Sequence, residues 1–311
     1  MPILRITATP NGPCLHDAPS DALDAALNAA LKAQPRPITI MVHGYKYRPG
    51  DPRHCPHQTL FCPDPVNPGP TIISWPRRLG LGPGPRSGLG VSFGWQARTT
   101  PWRAYHGAKA AGDALAVLVG QIRQQAPART IRVVAHSMGA RVTLQALSQV
   151  SAGAIDRVVL LAAAEFEAAA HHALATPGGR TASVLNITSR ENDLYDFLVE
   201  ALIATPKPGD RVLGAGRLKA PNLTHIQIDD GMTLETLRRA GFAIAPPAHQ
   251  VCHWSGYLRP GLFPFYRAWL DGRVDDAWLR RALPGHSAPR WSRLRRASMA
   301  RPGWHLDAPG A

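Results

Sequence analysis

Ser137 lies in Ala135-His136-Ser137-Met138-Gly139, between a β-branched run and a run spaced for a helix. Ile131, Val133 and Val134 read as a short buried parallel strand. Ala140, Leu144 and Leu147 fall on one helical face. A strand therefore meets a helix with almost no loop, and a serine occupies the junction. Such a turn forces the serine into strained backbone angles. The residues two before and two after it must be small, so that strand and helix can approach. Ala135 and Gly139 meet that requirement, with alanine in place of the first glycine of G-x-S-x-G. The chemistry this permits is nucleophilic attack by an exposed hydroxyl. The Met138 N–H and the helix N-terminus would then face the developing oxyanion. A buried serine capping an ordinary helix is the plainer alternative, but the flanking strand and helix favour the elbow.

Two further stretches offer partners. Residues 38–42 (ITIMV) read as a buried strand running directly into His43-Gly44-Tyr45. A glycine there lets the backbone come close to a substrate, and an N–H of Gly44 or Tyr45 would be the second oxyanion donor. Downstream, residues 182–188 read as a strand delivering Ser189-Arg190-Glu191-Asn192-Asp193-Leu194-Tyr195-Asp196, with a helix predicted over 197–204. Asp193 is the first choice of acid there. Glu191 and Asp196 compete with it, and Glu165, after the preceding strand, is an outside choice. A plain helix N-cap is the alternative role for Asp193. His253 precedes a Trp-Ser-Gly-Tyr turn and the last core helix. His249 is its main competitor, and His225, inside a strand, is a poor one.

The elements that must position these residues alternate along the chain. Strands are predicted over 3–8, 38–42, 89–95, 131–134, 157–163, 182–188 and 224–228. Helices are predicted from Ser20 to about Gln34, and over 102–125, 166–175, 233–239 and 263–270. Alternation of this kind implies an α/β fold: a mostly parallel sheet with helices on both faces.

The polar sites fall at strand ends in the order serine, acid, histidine. VHGY (42–45), AHSMG (135–139), SREND (189–193) and the histidine of CHWSGYL (252–258) together resemble the α/β-hydrolase superfamily, over roughly residues 36–272. Its bacterial esterase- and lipase-like members are the most similar. The resemblance implies a serine hydrolase of carboxyl esters, with Ser137 as nucleophile, Asp193 as acid and His253 as base. Backbone N–H groups of Met138 and of Gly44 or Tyr45 would form the oxyanion hole. It implies an acyl-enzyme and no metal or organic cofactor. The partner is then a small-molecule ester. A noncatalytic protein of the same fold, binding an acidic membrane surface or nucleic acid, is the other reading.

That alternative rests on charge. The 311 residues carry a formal net charge of +14, arginine far outnumbering lysine, which favours anionic partners without selecting one. A solvated basic surface accounts for the same excess, and no specific nucleic acid is implied. From His286 the composition changes to an Arg- and Trp-containing tail (286–311), set apart from a hydrolase domain at 1–285 and available for contact with an anionic surface. Four cysteines are too sparse for a disulfide scaffold. The first residues carry no apolar signal segment, and no stretch reaches membrane-span length, so a cytoplasmic protein is expected.

Residues 46–88 form a long Pro/Gly-rich insertion directly after the oxyanion strand. Its apolar residues, among them Phe61 and Trp75, predict packing over the acyl pocket. Alanine at either position would then change KM or acyl-length preference more than stability. His54-Cys55-Pro56-His57 and Cys62 are zinc-ligand types, but no second ligand pair lies nearby, so an incidental loop is expected.

Overall fold

The computed structural model describes residues 3–19, 21–65, 68–82, 84, 87–285 and 288–294. Most of the basic tail, and the Ser20 helix cap, lie outside them. Eight strands form one sheet: β1 (Ile3–Thr9), β2 (Gly12–Leu15), β3 (Ile38–Val42), β4 (Leu89–Gly94), β5 (Ile131–His136), β6 (Arg157–Leu161), β7 (Ser183–Thr188) and β8 (Leu223–Gln227). Their spatial order is β2-β1-β4-β3-β5-β6-β7-β8. Among the strands of the described residues, only β1 and β2 pair antiparallel, with Thr9 opposite Gly12. Gly12 has φ 108°, a conformation that favours glycine, at the tight turn the sequence signals with Asn11-Gly12. The neighbouring strands from β1 to β8 otherwise run parallel.

Buried parallel strands need cover on both faces, and the helices supply it. They are α1 (Ala22–Ala33), α2 (Trp75–Leu79), α3 (Pro101–Gln125), α4 (Gly139–Gln149), α5 (Glu167–Ala175), α6 (Pro177–Thr181), α7 (Asp193–Leu202), α8 (Gly231–Arg239), α9 (Ser255–Leu258), α10 (Leu262–Leu270) and α11 (Asp276–Ala282). One core lies under α1, α3 and α4, where Leu27, Leu115, Leu118 and Leu147 meet Ile40, Val91 and Val133. The other lies under α2 and α10, where Trp75, Phe265 and Trp269 meet Met41, Val134 and Leu185. Because alternate residues of a strand face opposite sides, Val133 and Val134 serve different cores.

Two expectations change. Phe61 and Trp75 are 1% and 0% exposed and belong to the second core. They interlock with each other edge-on, and Trp75 also meets Tyr257 and Phe263. They are core residues, so alanine there removes core volume. The helix predicted over 197–204 starts four residues earlier, at Asp193, after a 3-10 turn at Arg190–Asn192. Its early start follows from Asp193 and Asp196, whose carboxylates suit a first helical turn.

Candidate active site

The carboxyl ends of β3, β5, β6 and β7 share one edge of the sheet. Ser137 follows β5 with φ 56°, a left-handed conformation that a serine reaches only where surroundings enforce it. Three backbone hydrogen bonds hold it here. Ser137 N donates to Leu161 O at the end of β6, and its own O accepts from Ala140 N and Ala164 N. Gly139 opens α4 against the end of β3: a Cβ there would lie 2.7 Å from the carbonyl oxygens of both Val42 and His43. The predicted small residue two after the serine is thus required by backbone, not by side chains.

Gly44 is equally confined. A Cβ on it would fall 2.6 Å from Ser137 Cβ and 3.2 Å from Ser137 Oγ. The loop is braced by His43, which is fully buried. Trp95 N donates to His43 Nε2 at 3.0 Å, Trp95 Nε1 donates to His43 O, and His43 Nδ1 donates to Gly44 O at 2.8 Å. Burial holds the His43 imidazole down at about 4, so it is neutral and these roles fix its tautomer. With the Gly44 carbonyl turned to His43, the planar trans peptide turns the Tyr45 N–H the other way. The sequence singles out His43 with Gly44 and Tyr45, but not its bracing of the loop. Its signal was only that a histidine follows a wholly apolar strand.

His253 lies before α9, beside the residue preceding Ser137. The rings of His136 and His253 are 4.5 Å apart, and His136 Nε2 donates to His253 O at 3.0 Å. Tyr195 of α7 also stacks on the His253 ring, at 4.6 Å and 22°. Desolvation first, and the neighbouring His136 second, hold the His253 pKa well below the ordinary 6.5. Its Nδ1 donates to Asn192 Oδ1 at 2.6 Å.

Asp193, the expected acid, does not reach His253. Standing in the first turn of α7, it accepts from Arg190 Nη1 at 3.1 Å and from Trp291 N at 2.6 Å. The position opposite His253 Nδ1 belongs to Asn192, one residue earlier. Glu191 pairs with buried Arg259, accepts from Ser189 Oγ and His249 N, and its carbonyl accepts from Cys252 N. It therefore anchors the loop that carries His253. His249 contributes its backbone to that anchor. Glu165 accepts from Tyr105 OH and Arg141 Nη1, away from His253. His225 is held between Asn186 and Leu218 O. Asp196 accepts from Asn192 Nδ2 at 2.8 Å, one helical turn on. His57 donates or accepts with Ser92 Oγ at 2.6 Å and packs on His16, so its ring is engaged within the fold.

A family profile described as the T6SS Tle3 phospholipase effector domain matches residues 89–180, the stretch that contains the elbow. The matched stretch runs from β4 to α5 and holds the left-handed Ser137 between β5 and α4. Over that stretch the chain is similar to this family, and its fold is α/β, a mostly parallel sheet covered by helices. Solved structures similar to it include MenH from S. aureus, 8% identical over 61% of this chain and 83% of that one, with a TM-score of 0.32. A Trichoderma reesei cutinase in complex with a C11Y4 phosphonate inhibitor is 18% identical over 46% and 64%, at 0.25. Aspergillus fumigatus lipase B is 15% identical over 88% and 64%, at 0.38. Comparison with curated proteins finds no relative.

Within this α/β fold, α7 presents an apolar outer face. Leu194, Phe197, Leu198 and Leu202 are exposed, and Trp102 of α3 joins them by donating its Nε1 to Leu202 O. That apolar face begins two residues after Asn192. Among the described residues, no helix is long and apolar enough to cross a membrane.

Proposed function

We propose that the chain is an α/β-hydrolase that cleaves carboxyl esters of apolar, lipid-like acyl groups, with Ser137 as nucleophile. His253 takes the Ser137 proton at Nε2 while its Nδ1–H donates to Asn192 Oδ1. Asparagine thus fills the orienting place that sequence reasoning gave to Asp193, because Arg190 and Trp291 hold that carboxylate elsewhere. The N–H groups of Met138 and Tyr45 receive the tetrahedral oxyanion. His253 then returns its proton to the departing alcohol oxygen, and water, deprotonated by the same ring, hydrolyses the acyl-enzyme.

The observation that carries the reading is Ser137 at φ 56° on the strand-to-helix turn, with Gly44 pressed against its Cβ. The lipid-like substrate is supported by the exposed apolar face of α7 and by the phospholipase description of the matching profile. A fluorophosphonate probe should label Ser137, and Ser137→Ala should abolish both labelling and turnover of p-nitrophenyl esters. Turnover should rise with acyl length. A folded wild-type protein that neither labels nor hydrolyses any ester of the series would refute the reading.

A further inference from the structure

The hydrogen bond that orients His253 comes from an amide, and an amide has two ends. Asn192 can present Oδ1 to His253, or, after a half-turn about its last torsion, Nδ2. Only Oδ1 can accept the Nδ1 proton and leave Nε2 free to take a proton from serine. Something must therefore choose between the ends. We infer that Asp196 makes that choice, as a positioning residue whose carboxyl holds Asn192 Nδ2 and so turns Oδ1 toward His253. The inference rests on the Ser137–His253–Asn192 reading above.

The geometry forms an unbroken line. His253 Nδ1 is 2.6 Å from Asn192 Oδ1, and Asn192 Nδ2 is 2.8 Å from Asp196 Oδ1. Asn192 and Asp196 are 3% and 2% exposed, so water does not substitute for either bond. Asp196 is built in closely. A Cβ on Gly214 would lie 2.5 Å from its Oδ2 and 2.6 Å from its Oδ1, so only glycine admits the carboxyl at this depth. Gly214 is itself held by Arg190 Nη2, which donates to its carbonyl at 3.1 Å.

A carboxyl is suited to this task in either protonation state. Burial lifts Asp196 to about 7, against the pull of Arg190 and Arg290 and with the push of Asp193 and Glu200. Among the described residues its Oδ2 has no hydrogen-bond partner, so a proton there leaves Oδ1 still accepting from Asn192. An asparagine in its place could turn either Oδ1 or Nδ2 toward Asn192, and the choice of end would be lost. No other described side chain reaches the Asn192 amide nitrogen by a hydrogen bond.

The test has one arm that needs no turnover. Nitrogen-15 shifts of the His253 ring should report a proton fixed on Nδ1 in the wild type and a mixture of tautomers in Asp196→Asn. In the same variant kcat for a p-nitrophenyl ester should fall about tenfold, because a ring in the wrong tautomer cannot take the serine proton. KM should stay within about twofold, because the change acts on the proton transfer and not on binding. The exchanged double variant Asn192→Asp/Asp196→Asn puts a carboxylate directly on His253 with an amide behind it. It should restore the Nδ1 proton and most of kcat, and move the acid limb of kcat/KM to higher pH by stabilising the imidazolium. A folded Asp196→Asn protein whose His253 proton stays on Nδ1 overturns the inference, whether or not kcat changes. If the wild type hydrolyses nothing, the hydrolase reading fails on that result alone, while the ring shifts still decide whether Asp196 sets the amide.

Discussion

Gly44 and Ser137 approach so closely that a single added carbon on Gly44 would stand 2.6 Å from Ser137 Cβ. The same carbon would stand 2.9 Å from His136 O, which belongs to the backbone and cannot swing aside. Gly44→Ala therefore has to push the 43–45 loop off the elbow and carry the Tyr45 N–H with it. A displacement of about 1 Å at a reacting centre costs on the order of 100-fold in rate. We expect kcat/KM and the rate of fluorophosphonate labelling to fall together by that order. Overpacking should lower stability by about 1–3 kcal/mol, leaving the protein folded. Labelling at the wild-type rate would show that this loop does not serve the oxyanion.

Asn192 and Asp193 are neighbours with opposite expected phenotypes. Asn192→Ala removes the acceptor for His253 Nδ1, so kcat should fall about 100-fold or more, as when other triad histidines lose their correct tautomer. Asp193→Asn leaves that bond intact but strands the buried Arg190 guanidinium, a change of about 3–5 kcal/mol in stability. Parallel kinetics and urea unfolding on the two variants separate the roles. If Asp193→Asn lost activity without losing stability, the acid role would return to Asp193.

The elbow was legible because its constraints are local. Ala135, Ser137 and Gly139 are spaced by the turn itself, and Ile131–Val134 and Leu144–Leu147 change period across it. The acid was not legible, because Glu191, Asp193 and Asp196 sit within six residues and no local rule distributes them. Their destinations are set by distant groups: Arg259 takes Glu191, Trp291 N takes Asp193, and the Gly214 turn admits Asp196. Placing the start of α7 at 197 also hid the one-turn spacing of Asn192 and Asp196. Once Asp193 is helical, those two fall on one face, four residues apart. The bracing role of His43 was not legible for a similar reason, since its partner Trp95 arrives from just after β4, 52 positions away.

The pH profile should reflect the environment of His253. Desolvation and the adjacent His136 disfavour the imidazolium, so the ring stays neutral to lower pH than an ordinary histidine. Hydrolysis needs the neutral ring. The acid limb of kcat/KM, which reports the free enzyme, should therefore lie below 6.5. Initial rates with a soluble p-nitrophenyl ester from pH 4.5 to 8 would check it. A limb at or above 6.5 would mean that the ring is solvated, or that another base is at work.

Asp196 links the site to stability with a definite sign. Its pKa is raised from 3.8 to about 7, so between those values the native protein keeps a proton the unfolded chain has lost. The unfolded state then binds fewer protons, and stability falls as pH rises through that window. Asp196→Asn removes the titration. Measured against the wild type, the variant should gain stability between about pH 4 and pH 7, by up to a few kcal/mol. It should be the more stable and the less active protein at pH 8, a trade expected where a buried charge serves a reaction. Urea midpoints at the two ends of the window would decide it, and a difference independent of pH would show that the carboxyl is ionised throughout.

The insertion after β3 divides into a part that folds the protein and a part that can shape access. Phe61 and Trp75 belong to the first. Their rings meet at 5.4 Å, and Trp75 continues into Tyr257, whose hydroxyl donates to Thr71 O. Those contacts tie Phe61, Thr71 and Trp75 to α9 and α10, the elements that follow His253. Phe61→Ala or Trp75→Ala opens a cavity in a fully buried cluster, so each should cost about 3–5 kcal/mol. Tyr47 belongs to the second part. It is only partly buried and its ring stands 5.4 Å from His43, the brace of the Gly44 loop. Tyr47→Ala should therefore change KM or acyl-length preference about severalfold, at a smaller cost in stability than either core variant. Thermal melts and a p-nitrophenyl ester series on the three variants would test the division. Equal destabilisation of all three, with acyl preference unmoved, would make the whole insertion scaffold and remove it from substrate selection.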